Sequence, residues 1–161
     1  MVTTRYLVAP ILALLACSGV PLRPDGSPAA EPCPADAAEA MREFHLVPAA
    51  NGRLGSAEMI DLDVTQRRKG PMVIYDGPIE SEIRPNMGDL PPNTRLQGRV
   101  WTSGPRVIIR YYSARLPDGR RIPFCAAAGD NGPGLPKGPG RPGSAALPRI
   151  YATVYVVSQF R

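Results

Sequence analysis

Five carboxylates fall between positions 61 and 82: Asp61, Asp63, Asp76, Glu80 and Glu82. Asp61 and Asp63 are two residues apart, which on a strand aims both side chains the same way. Together with Asp76 they could hold a calcium ion or divide the roles of general acid and base. Solvated acids on a strand face are the commoner result of that spacing, and no EF-hand pattern is present. His45 is the only histidine, so no Ser/His/Asp arrangement or metal-ligand spacing can be built around it. Near the end of a helix, a histidine serves more naturally as a structural residue facing the negative pole. A second constellation is basic. Arg95, Arg99, Trp101, Arg106, Arg110 and Tyr112, with Ile108 and Arg121, alternate along the chain so that they can share one sheet surface. Arginines interleaved with aromatics bind anions by charge, paired hydrogen bonds and stacking, which makes these six the candidate anion-binding face. The plainer reading of the same pattern is a solvated face whose arginine stems lie over the aromatics. No catalytic residue, metal or cofactor is assigned.

Three period-2 segments would position those side chains: residues 94–102, 106–114 and 120–127, joined by Ser103-Gly104-Pro105 and Leu116-Pro117-Asp118-Gly119. In this antiparallel meander Leu96, Val100, Val107, Ile109, Tyr111, Ile122, Phe124 and Ala126 form the core-facing set. Residues 59–66 alternate in the same way, placing Ile60, Leu62 and Val64 opposite Asp61, Asp63 and Thr65. Arg67-Arg68-Lys69-Gly70 then turns the chain into a strand at 72–75. Residues 150–160 read as a final strand. Ala37, Ala40, Met41 and Phe44 recur at helical spacing within 34–45, with Pro34 in the first turn and Asp36 and Glu39 near the positive end. Residues 76–93, with four prolines, read as irregular. Residues 129–143 read as a Gly/Pro-rich loop, whose prolines at 133, 136, 139 and 142 have the polyproline II period. The expected fold is mainly β: a small antiparallel barrel or sandwich of about six strands with one short N-terminal helix.

Proline and glycine number 20 and 16 of 161 residues, as expected for short elements separated by turns. The net charge of +5 suits an anionic surface without demanding nucleic acid, which is not expected as a partner. Charge is uneven along the chain. Residues 31–82 carry ten acids and five bases, a balance of −5, while residues 84–121 carry eight bases and two acids, a balance of +6. The two halves either attract each other within one fold or present a two-sided surface to a partner.

The N-terminus fixes an address. Arg5 precedes an apolar run from Tyr6 to Ala16, 11 residues long, whereas a membrane-crossing helix needs about 20. The end of this run, Leu14-Leu15-Ala16-Cys17, resembles the lipobox of bacterial lipoproteins. The resemblance implies cleavage after Ala16 and a lipidated Cys17 as mature N-terminus. Ser18, being other than aspartate, implies the outer membrane of a Gram-negative envelope. On this reading residues 1–16 are a signal peptide, 17–32 a lipidated cysteine and flexible tether with four prolines, and 33–161 a single domain. Removal of 1–16 leaves 18 basic and 14 acidic side chains, or +4. Lipidation of Cys17 leaves Cys33 and Cys125 as an even pair in an oxidising compartment, so one disulfide is expected.

A second likeness lies at Leu90-Pro91-Pro92-Asn93-Thr94-Arg95-Leu96-Gln97-Gly98, followed by Pro117-Asp118-Gly119. It is similar to the pattern leading into the β-barrel of the TrbI/VirB10-like secretion-channel proteins, with Asn93 where that family favours glycine. Asparagine tolerates the left-handed conformation such a turn requires. The function expected is a non-catalytic binding or assembly module in the envelope, with the membrane as one partner and a protein, glycolipid or peptidoglycan as another. The alternatives are an envelope enzyme using Asp61, Asp63 and Asp76, and an accessory lipoprotein of a secretion apparatus.

Overall fold

A computed structural model describes residues 19–50, 55–66, 70–130 and 132–161. The lipobox and the Arg67-Arg68-Lys69 turn lie outside the described residues. In chain order the elements are β1 (Glu31–Pro32), α1 (Ala37–Glu43), β2 (Ala57–Asp61), β3 (Met72–Tyr75), β4 (Gly77–Ile83), β5 (Arg95–Trp101), β6 (Ile108–Arg115), β7 (Arg121–Gly129), β8 (Ser144–Leu147), β9 (Tyr151–Val156) and β10 (Gln159–Phe160).

The expected meander is the continuous wall of the molecule, β5 pairing with β6 and β6 with β7. β4 adds to β5, β9 to β7, and β2 bridges β4 and β9, closing a barrel in the order β2-β4-β5-β6-β7-β9. The fold is therefore the barrel of the two architectures expected. Closure removes the open edges that a small sheet would otherwise expose. Alternation sends Ile60, Ile83, Leu96, Ile109, Tyr111, Phe124 and Val154 inward, all completely buried. At about 25 cal/mol per Å2 of apolar surface removed from water, each fully buried large side chain contributes roughly 1.5 to 3 kcal/mol. Of the core set read from the meander, only Ile122 is partly exposed.

Several boundaries differ from the sequence reading. Residues 76–93 are not wholly irregular, because they contain β4, in which Ile79, Ser81 and Ile83 face inward and Glu80 and Glu82 outward. Pro78 obscured that alternation; it sits at the second position of the strand, where a missing N–H is tolerated. The final strand is broken at Val157–Ser158 into β9, which closes the barrel, and β10, which pairs with β1. β3 does not pair with β2 but with β8, an element just beyond the expected Gly/Pro-rich loop. That loop is laid over one end of the barrel, where Leu135 is buried and exchanges two backbone hydrogen bonds with Val107.

Residues 19–32 are not a free tether. The Ala29 N–H donates to the Pro21 carbonyl at 2.8 Å, Arg23 and Ser27 close a small hairpin, and β1 pairs with β10. The arm has little apolar surface of its own, and the buried Arg110 on the barrel orders it instead through its carbonyls. α1 packs against β7 through Ala37 and Met41, and the Cys33–Cys125 disulfide, with Cα atoms 5.5 Å apart, fastens the start of this segment to the outer surface of β7.

Candidate functional site

The six residues of the expected anion face do not share one open surface. Arg110 of β6 is 1% exposed. Its Nη1 donates to the Ala29 carbonyl at 2.9 Å and the Glu31 carboxylate at 3.0 Å, and its Nη2 to the carbonyls of Pro28 at 3.3 Å and Arg161 at 3.1 Å. The guanidinium also lies between Trp101 and Phe160, 5.4 and 5.2 Å from their ring centroids. Tyr112 donates its hydroxyl to the same Glu31 carboxylate at 2.6 Å. Burial, followed by this hydrogen bond and the charge of Glu31, holds the Tyr112 phenol well above its ordinary pKa.

Arg95 turns towards β4, its Nε 2.9 Å from Glu82 and its Nη1 3.2 Å from Glu80. Arg106 donates to the carbonyls of Asp130 and Gly134 at the barrel end. Arg99 alone of the four arginines is exposed, lying 5.7 Å from the Trp101 ring centroid. The structure thus gathers Trp101, Arg110 and Tyr112 under the N-terminal arm, leaves Arg99 at the rim and sends Arg95 and Arg106 elsewhere. This corrects the expectation of an anion face, because carbonyls and carboxylates of the chain itself already occupy most of the cationic donors.

The acidic candidates are also divided. Asp61, Asp63, Glu82 and Arg84 line a polar cavity of about 300 Å3. Asp61 and Glu82 stand opposite each other in the β2–β4 register. Asp61 accepts two bonds from Arg84, at 2.6 and 2.7 Å, and that hydrogen bond is the main cause raising the Arg84 pKa. Asp63 caps its own turn, accepting from the Thr65 N–H at 2.8 Å and from the Gln66 amide at 3.0 Å. Asp76 lies apart, accepting the Thr102 N–H at 2.6 Å. The acid cluster Asp61/Asp63/Asp76 is therefore not assembled, and no group of metal-ligating side chains comes together among the described residues. His45 pairs with Asp89 at 2.6 Å on an exposed surface.

What the sequence reading missed is the outer face of β2 and β9. Met59 is 47% and Tyr151 43% exposed, and the register brings them to the same face, Met59 opposite Thr153 and Tyr151 opposite Asp61. Arg149 lies over Tyr151, 5.8 Å from the ring centroid. On one side these residues border a cavity of about 120 Å3 that also touches Leu135, Leu147 and Pro148. On the other they border a groove of about 520 Å3 with Arg84 and Ile150. Period-2 alternation already placed Met59 among polar outward positions, and that apolar exception was the available signal.

No protein family, no curated protein and no solved structure matches the chain.

Proposed function

We propose that the chain is a lipid-anchored cell-envelope protein acting as a non-catalytic binding or assembly module. The anchor rests on Leu14-Leu15-Ala16-Cys17, with the outer membrane as its destination. The observation that carries the binding reading is the contrast between the sides of the barrel. α1 covers β7, the N-terminal arm covers β6, and ion pairs occupy β4 and β5, while Met59 and Tyr151 on β2 and β9 stand in solvent beside two depressions. Exposed apolar side chains with a basic rim suit a protein partner.

The enzyme alternative loses support from the separation of Asp76 from Asp61 and Asp63. The secretion-apparatus alternative has one observation in its favour. Asn93, the departure from the TrbI/VirB10-like pattern, has φ of 64°, a left-handed conformation that glycine also adopts without strain.

The test has two arms. Labelled palmitate is expected to enter the protein and to be lost in Cys17→Ser, which is then released or left unprocessed; a parent protein that takes up no palmitate, or a Cys17→Ser variant that takes up as much, overturns the anchor. A photoreactive residue at Thr153 is expected to give a discrete protein adduct that Tyr151→Glu abolishes. An adduct pattern unaffected by Tyr151→Glu overturns the binding face.

A further inference from the structure

Resting on the lipid anchor proposed above, we infer that the barrel is held in one orientation on an anionic phospholipid leaflet, with its N-terminal arm and β6 side against the lipid and the β2–β9 face turned away. The inference begins with the arm. Pro21 is fixed to Ala29, Leu22 bridges to Pro28, and the hairpin tip is closed between Arg23 and Ser27. A Cβ added to Gly26 would stand 2.8 Å from the Ser103 carbonyl carbon, so this tip is seated closely on the β5–β6 turn. Pro28 and Ala29 are held in turn by Arg110. The chain therefore leaves the barrel at Pro21, not at Cys33.

Only four residue steps separate Pro21 from Cys17. Fully extended, they reach at most about 14 Å. A domain of this length has a radius of gyration of about 14 Å, which places its surface about 18 Å from its centre. Turning the opposite side to the bilayer would lift Pro21 by about 35 Å, more than twice that leash. A flexible tether running to Cys33 would have allowed such rotation, but an arm bound to the barrel prevents it.

The ring order then states which face looks away. β6 carries the arm, and β2 lies three strands from β6 in either direction round the barrel. Met59 on β2 is thus on the far side, and Tyr151 on the paired strand β9, two strands from β6, adjoins it, so both are accessible to a partner in the aqueous compartment. The near side has matching chemistry. Leu22 is 52% exposed, and Arg23 and Arg99 are exposed cations. The one carboxylate in the hairpin, Asp25, accepts from the backbone and hydroxyl of Ser27. An apolar side chain flanked by cations favours a leaflet containing anionic headgroups.

The experiment uses the full-length protein with a photoreactive phenylalanine analogue placed singly at Leu22, Arg99, Met59 or Tyr151, in vesicles of phosphatidylethanolamine and phosphatidylglycerol, with palmitate on Cys17 verified by mass. Phospholipid adducts are expected at Leu22 and Arg99 and absent at Met59 and Tyr151. Inserting a flexible Gly/Ser segment of about 15 residues between Ser18 and Gly19 leaves the fold untouched, and is expected to abolish that selectivity by giving the barrel room to rotate. Cys17 without lipid overturns the anchor and the orientation together. Lipidated Cys17 with equal adducts at all four positions overturns the orientation alone, and selectivity that survives the inserted segment overturns the short leash as its cause.

Discussion

Arg110 donates to the Glu31 carboxylate at 3.0 Å across a sequence separation of 79, and this pair ties the N-terminal arm to the barrel wall. Replacing Arg110 with methionine keeps much of the packing between Trp101 and Phe160. It leaves the Glu31 carboxylate with the Tyr112 hydroxyl but without its cation, and the carbonyls of Pro28, Ala29 and Arg161 without the guanidinium. Truncating one partner of a buried charge pair costs about 3 to 5 kcal/mol. Arg110→Met is expected to lower the Tm by roughly 10 °C and to open the arm to proteolysis near Arg23 while the remaining barrel stays resistant. Unchanged resistance at Arg23 would show that β1–β10 pairing alone holds the arm.

Alkaline stability follows from buried phenols. Tyr111 is completely buried and donates to the Ser81 hydroxyl at 2.7 Å, since Ser81 directs its own proton to the Leu62 carbonyl at 2.5 Å. Burial raises the Tyr111 pKa above the ordinary 10.0, and Tyr112 and Tyr155 are raised in the same direction, also chiefly by burial. A raised folded pKa gives a contribution that is complete below the unfolded value and is lost as pH rises towards the folded one. Stability is therefore expected to hold up to about pH 10 and to fall above it. Tyr111→Phe should make that fall shallower while costing about 1 kcal/mol at neutral pH for the lost hydrogen bond. Denaturant midpoints measured with tyrosinate absorbance across this range check both effects.

The meander was legible because period-2 alternation needs only local sequence. Leu96, Val100, Ile109, Tyr111 and Phe124 face inward as read. The same alternation put Arg110 and Tyr112 on the outer surface correctly, but it cannot report what covers that surface when the cover comes from Glu31, 79 positions away. The uneven charge of the two halves was likewise visible, whereas its use was not. Asp61–Arg84, Glu80–Arg95, Glu82–Arg95 and Glu80–Arg115 now link the acidic stretch to the basic one inside a single fold. Closure by β2 and β9, and with it the position of Tyr151 beside Met59, required strand register over more than 90 residues that no short-range pattern encodes.

Two backbone positions at the start of the meander give opposite expectations for small substitutions. Asn93 has φ of 64°, so Asn93→Gly should be close to neutral, while Asn93→Ala should cost about 1 kcal/mol through Cβ strain. Gly98 adjoins the register shift between Gln97 and Gly98, and a Cβ there would stand 2.2 Å from the Arg110 carbonyl oxygen and 2.8 Å from the Tyr111 ring. Gly98→Ala is thus expected to cost about 1 to 3 kcal/mol by forcing β5 from β6. Urea unfolding of the three variants ranks them directly. A neutral Gly98→Ala would show that the irregularity has room to spread.

The Cys33–Cys125 bridge joins the segment entering α1 to β7, closing a loop with a sequence separation of 92. Helix α1 has only seven residues and no side-chain cap at Asp36, so its own hydrogen bonds cannot keep it formed. Its order depends on Ala37 and Met41 packing against β7 and on the bridge that holds them there. In the chain-entropy account a loop of this size corresponds to about 4 to 5 kcal/mol, comparable with much of a small domain's stability. Double replacement by Cys33→Ser and Cys125→Ala is therefore expected to shift the urea midpoint strongly downward and to raise hydrogen exchange in α1 before the barrel strands. The barrel closes without the bridge, since the pairings among its six strands involve neither β1 nor α1. Simultaneous loss of protection in α1, β5 and β6 would instead show that the helix and barrel unfold as one unit.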